Sequence, residues 1–125
     1  MPNFGQKSQD KLATVHPKLQ QIMNEAIKEY DFTVLWGYRD KQLQNSFYRR
    51  GTGLKWPNSR HNVKPSLAVD VAPWPIDWLD EQRFVILAGL ILAKARELKI
   101  EVVWGGLWLR RDLGHFEIRK EEVNG

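Results

Sequence analysis

The stretch Ser66-Leu67-Ala68-Val69-Asp70-Val71-Ala72-Pro73 decides how the chain is read. Its small and β-branched apolar residues read as a buried strand, and Pro73 and Pro75 end it. Asp70 does not suit that setting. A carboxylate buried alone costs several kcal/mol, so it needs a cation, a metal or several donors unless the strand turns it to solvent. Two readings stand here: a solvent-facing acid, or a ligand held on a rigid strand, a favoured support for a site.

Outward from this strand, residues 31–38 (DFTVLWGY) read as a second strand, and 40–50 as a polar helix closed by Gly51. Residues 51–65, broken by Gly, Pro, Asn and Ser, read as loop. Nearer the N-terminus, Ser8 is expected to cap a short helix carrying Leu12 and Val15. Pro17 then opens another, with Leu19, Ile22, Met23, Ala26 and Ile27 at helical spacing. On the C-terminal side, Asp77 is expected to cap a long helix over 78–98, with Phe84, Leu87, Ala88, Ile91, Leu92 and Ala95 inward. Strands at 100–104 and 114–118 flank the Gly105-Gly106 turn, and a charged tail ends the chain. This order predicts an α+β domain, its helices packed on one small, largely antiparallel sheet. At 125 residues without repeats or long linkers, one domain spanning 1–125 is expected.

Composition narrows the chemistry. With no cysteine, a disulfide framework, a thiolate metal site and a Cys nucleophile are excluded. Any transition metal must rest on carboxylates and the three histidines. No apolar run approaches the roughly 18–20 residues that span a bilayer. The opening MPNFGQKSQDK lacks the apolar stretch of a signal peptide, which predicts synthesis in a cytoplasm and no stable membrane association. The net charge of +4 is modest and spread out, and its densest pieces are Arg49-Arg50, Arg110-Arg111 and Arg119-Lys120. It reads as solvated surface charge or as weak attraction to an anionic polymer. Nucleic acid is not an expected partner, since no binding motif accompanies the charge. Trp56, Trp74, Trp78, Trp104 and Trp108 stand around the remaining motifs, either lining a groove or filling the core.

His61 lies nine residues before Asp70, in Asn58-Ser59-Arg60-His61-Asn62, and His115 lies in Asp112-Leu113-Gly114-His115-Phe116-Glu117. Either histidine alone reads equally as a surface or satisfied core residue. Together with Asp70 they make two imidazoles and one carboxylate, the donor set of a catalytic zinc site with an open fourth position. Asp112 is placed to accept and return a proton beside such a metal, or simply to pair with Arg110 or Arg111. Glu117, two residues beyond His115, shares its strand face and suits orienting the imidazole or touching substrate. Arg39, at a strand end in Gly37-Tyr38-Arg39, suits an oxyanion or carboxylate clamp, or is a surface charge. His16, before Pro17 at a helix junction, reads as structural.

These pieces together resemble the zinc D,D- and L,D-peptidase family, which includes VanY-type carboxypeptidases and phage L-alanyl-D-glutamate endolysins. The matching residues are Ser59-Arg60-His61, Ala68-Val69-Asp70, Trp104-Gly105-Gly106-Leu107-Trp108, Asp112 through Glu117, and Gly37-Tyr38-Arg39 with Gln44. The opening Phe4-Gly5 to Ser8, with Leu12-Ala13-Thr14-Val15-His16-Pro17, is similar to the endolysin branch. The family usually sets the Asp seven residues after the His with a Gly between; here the gap is nine and the Gly is missing. Loop closure cost grows slowly with length, so the ligands can still converge.

The resemblance implies a Hedgehog/D,D-peptidase-like fold with Zn²⁺ held by His61, Asp70 and His115. It implies Asp112 as general base and then acid, and Arg39 as the residue that stabilises the oxyanion or fixes the peptide. Ser59, Gln44, Trp104 and Glu117 would contact substrate or support the ligands. The implied substrate is the peptidoglycan stem peptide, cut by a monomer at the L-alanyl-D-glutamate bond. A holin-like, membrane-permeabilising protein would give an unanchored enzyme access to the wall. Alternatives are a D-alanyl-D-alanine carboxypeptidase or dipeptidase, and an inactive wall-binding module, which would have no need of Asp112.

Overall fold

The strand around Asp70 is the second of four in a computed structural model that describes residues 2–119. β1 (Phe32–Trp36), β2 (Ala68–Pro73), β3 (Val102–Trp104) and β4 (His115–Ile118) form one sheet in the order β1-β2-β4-β3. Every pairing is antiparallel. Four helices accompany it: α1 (Gln6–Leu12), α2 (Pro17–Ala26), α3 (Lys41–Arg49) and α4 (Glu81–Glu97). The expected α+β class is what the chain adopts. The charged tail beyond Arg119 lies outside the described residues.

Alternation along the two central strands separates core from site. Val69 and Val71 of β2 and Phe116 and Ile118 of β4 enter the hydrophobic core, so Asp70, His115 and Glu117 lie on the opposite face. The register sets Asp70 against His115 and Ala68 against Glu117. On β1, Phe32 and Val34 also join the core, but the register slips between Val34 and Trp36. That bulge pairs Trp36 with Asp70 and turns its ring to the site face. The core face is covered by α2 and α4, which pack on each other and bury Leu19, Ile22, Met23, Leu87 and Ile91. Full burial of such side chains contributes about 1.5–3 kcal/mol each.

Two helix starts differ from expectation. α1 is preceded by Gly5 rather than capped by Ser8, which sits buried within it. The Ser8 hydroxyl lies 2.9 Å from Thr33 Oγ1 and accepts the Val34 N–H at 3.0 Å, so it ties α1 to β1. Val15 lies beyond α1 and bridges to Ser66. The long helix starts at Glu81 after Asp80, not at 78. Asp77 Oδ1 accepts the Leu79 N–H in a local turn that competes with helix initiation. His16 is structural, as read: its Nδ1 accepts the Lys18 N–H at the start of α2.

The elements just before β2 follow expectation more closely. Asp40 Oδ1 accepts the Leu43 N–H and caps α3, and Gly51 has φ +74, the left-handed conformation expected after a helix end. Within the 51–65 loop, Arg60–Asn62 forms a single 3-10 turn. Ser59 Oγ accepts the His61 N–H, and Asn62 Oδ1 accepts the Ser59 N–H. The Leu67 N–H then reaches the Arg60 carbonyl, so the nine-residue spacing from His61 to Asp70 closes on itself before β2 begins.

Candidate metal centre

The end of β1, the Arg60–Asn62 turn, β2 and β4 bring three candidate ligands together. One ligand atom from each of His61, Asp70 and His115 lies within 4.8 Å of the other two. His61 Nδ1 donates to the Gly37 carbonyl at 2.7 Å, which leaves Nε2 as the lone-pair nitrogen. That Nε2 is buried, lies 3.2 Å from Asp70 Oδ2 and has no hydrogen-bond partner. On the other side, His115 Nδ1 is 3.0 Å from Asp70 Oδ1 and Nε2 is 2.8 Å from Glu117 Oε1. Glu117 therefore accepts the Nε2 N–H, so that a neutral His115 turns its Nδ1 lone pair toward the centre. Two nitrogen lone pairs and a carboxylate, with the far side of each imidazole anchored by an oxygen, fit a divalent metal with nitrogen and oxygen preferences.

Arg39 closes the floor. Its Nη2 donates to Asp70 Oδ2 at 2.6 Å, and its guanidinium lies 4.1 Å from the Phe47 ring centre. Burial by itself would raise the Asp70 carboxyl. The two neighbouring imidazoles, His61 and His115, outweigh it and hold the carboxyl well below the usual range. His115 is the converse: burial lowers it, yet hydrogen bonds to Asp70 and Glu117 carry it up to about 9 in the metal-free centre. A dication there would compete with that proton.

Asp112 stands at the rim. Its Oδ2 is 3.9 Å from His115 Nδ1, and its side chain is half-exposed. Burial first, then the Asp70 charge, raise its carboxyl above the usual range. These residues line a cleft of about 280 Å³ with Ser59, Arg60, Trp108 and Glu117. The Trp108 ring centre lies 5.0 Å from that of His115.

The four supporting residues named from sequence are placed unequally. Gln44 is buried between the Leu54 carbonyl, to which it donates, and the Asn62 amide, from which it accepts, and so shapes the loop that carries His61. Ser59 is engaged with the His61 backbone and Glu117 with His115. Trp104 is not at the cleft: it packs against the core and donates its indole N–H to the Leu113 carbonyl at 2.8 Å. Of the two tryptophans in that motif, Trp108 takes the groove-lining place and Trp104 the core-facing one. Arg60 in the wall of the cleft is the residue the sequence reading missed; its only signal was its place beside His61.

A family model for the phage L-alanyl-D-glutamate peptidase matches residues 2–125. The L-alanyl-D-glutamate peptidase of Escherichia phage T5 is 31% identical over 128 residues, covering 98% of this chain and 93% of that protein. The crystal structure of the Serratia marcescens L-Ala D-Glu endopeptidase ChiX superposes with a TM-score of 0.84 at 28% identity, covering 98% of this chain and 95% of that one. In sequence, extent and fold, the chain belongs to the phage L-alanyl-D-glutamate peptidase family.

Proposed function

We propose that this peptidase hydrolyses the L-alanyl-D-glutamate bond of the murein stem peptide with Zn²⁺ held by His61, Asp70 and His115. The observation that carries the metal assignment is the buried His61 Nε2, which has no hydrogen-bond partner and faces the Asp70 carboxylate and His115. The bond assignment rests on the names of the relatives. Zinc, when bound, supplies Lewis acidity toward the scissile carbonyl and lowers the pKa of water toward about 7.

The remaining steps belong to side chains. Asp112, half-exposed at the rim with its carboxyl raised, accepts the proton of the attacking water and delivers it to the leaving amine. Arg39 fixes the Asp70 carboxylate and offers positive charge to the oxyanion. Glu117 keeps the His115 ring in the tautomer that presents Nδ1. Among the described residues no helix is long and apolar enough to cross a membrane. Action on the wall as a monomer, with access provided by a holin-like partner, completes the endolysin reading.

Purified protein is incubated with murein, with chelator or with added zinc, and new amino termini are identified. Release of N-terminal D-glutamate only in the zinc sample is the expected result. Intact murein would sink the peptidase reading, and release of D-alanine would move the site to carboxypeptidase chemistry.

A further inference from the structure

The metal triad has two differently built troughs beside it. One is the polar cleft that contains Ser59, Arg60 and Glu117. The other is lined by Leu35, Trp36, Phe47 and Trp78 and is largely apolar. Arg39, Asp70 and Asp112 border both, so the reacting groups stand between them. A bond between an L-alanyl and a D-glutamyl residue is asymmetric in the same sense. The alanyl side presents a methyl group. The glutamyl residue has two carboxyls, of which one continues the peptide and the other remains a carboxylate or its amide.

Two cations line these troughs. Arg39 borders both and is buried, with Nη2 committed to Asp70, so it does not distinguish the sides. Arg60 lines the polar cleft with its side chain 36% exposed. Its Nε is 2.6 Å from Glu117 Oε2, while Glu117 Oε1 holds His115 Nε2 at 2.8 Å. One carboxylate thus sets both the imidazole and the guanidinium. The Arg60 bond uses Nε and leaves the terminal nitrogens for another partner.

Building on the proposed cleavage of an L-alanyl-D-glutamate bond, we infer that Arg60 recognises the free carboxylate of the D-glutamate on the leaving side. The alanyl side then lies over the aromatic trough. A carboxylate accepts two N–H donors from the guanidinium fork, whereas a carboxamide is neutral and turns donors of its own toward it. Arg60 is therefore a specificity residue that separates acidic from amidated stem peptides.

The test uses two muropeptides that differ only in whether that glutamyl carboxyl is free or amidated. The zinc-loaded wild type should cut the acid with a kcat/KM on the order of 10- to 100-fold above the amide, the scale of a hydrogen bond to a charged group. R60Q should lose this ratio by slowing on the acid alone, and R60K should keep an intermediate ratio. Equal rates on both substrates in the wild type overturn the inference and leave the peptidase reading intact. So does an equal fall on both in R60Q, the signature of Arg60 merely bracing Glu117. Cleavage of neither by the wild type overturns the peptidase reading, and the inference with it.

Discussion

Asp112 and His115 are neighbours with separable proposed roles. Because Asp112 stands beside the ligands at 3.9 Å from His115 Nδ1, Asp112→Asn should keep zinc and lose turnover by about 10²–10⁴-fold. His115→Ala should lose both, because it removes a proposed ligand. Zinc titration beside murein hydrolysis measures the two effects, and turnover retained in either variant would refute its role. Glu117→Gln removes the charge that orders the His115 ring, so zinc affinity should fall about 10–100-fold in competition with a chelator. At this scale the sequence was readable where residue type itself carries chemistry. An acid in an apolar strand and two of three histidines stood out on that ground. Arg60 and Trp104 did not yield in the same way. Nothing in an arginine or a tryptophan states whether it faces a cleft or a core, and Trp104 faces the core.

The stretch between β3 and β4 shows how an element serves the site. Gly105 starts a 3-10 turn, and its carbonyl accepts the N–H groups of Trp108 and Asp112. A Cβ at Gly105 would lie 2.6 Å from the Asp112 carbonyl oxygen and 3.2 Å from the His115 Cβ, too close for backbone that cannot yield. Gly105→Ala should therefore displace Asp112 and lower kcat by about 10- to 100-fold. Zinc affinity should fall less, and an unchanged kcat would show that the turn does not position Asp112. Helices and strands were legible here from their periodicity. Their starts were less so, because Asp77 has a local alternative to capping and Ser8 is taken by its tertiary partners Thr33 and Val34. The β1 bulge was not legible at all, since a slip of one residue exists only relative to the strand it pairs with.

Across the whole molecule the charged centre links metal, pH and stability. In the metal-free protein His115 is raised from 6.5 to about 9, so it binds its proton more tightly folded than unfolded. Its contribution is complete below the unfolded pKa and is lost as pH rises through about 9. The Asp70 carboxyl is depressed, so its contribution is present above the ordinary carboxylate range and is lost as pH falls below that range. Chelated protein should then lose stability between about pH 6.5 and 9, read as a falling urea midpoint. Zinc should reverse the trend, since it binds the deprotonated imidazole and favours the folded state by mass action. An identical pH profile with and without zinc would contradict the shared site.

The sequence by itself determined the α+β class, the apolar faces of the helices and strands, and a donor set limited by the lack of cysteine to histidine and carboxylate. These follow from local periodicity and from the chemistry each residue type carries. Only the tertiary structure decided which atoms meet. His61 reaches Asp70 across a longer loop because Leu67 hydrogen-bonds back to Arg60, and β4 pairs His115 with Asp70. The bulge sets Trp36 opposite Asp70, and Glu117 joins His115 to Arg60. Register and long-range pairing are properties of two segments at once, which is why no single stretch of the chain contained them.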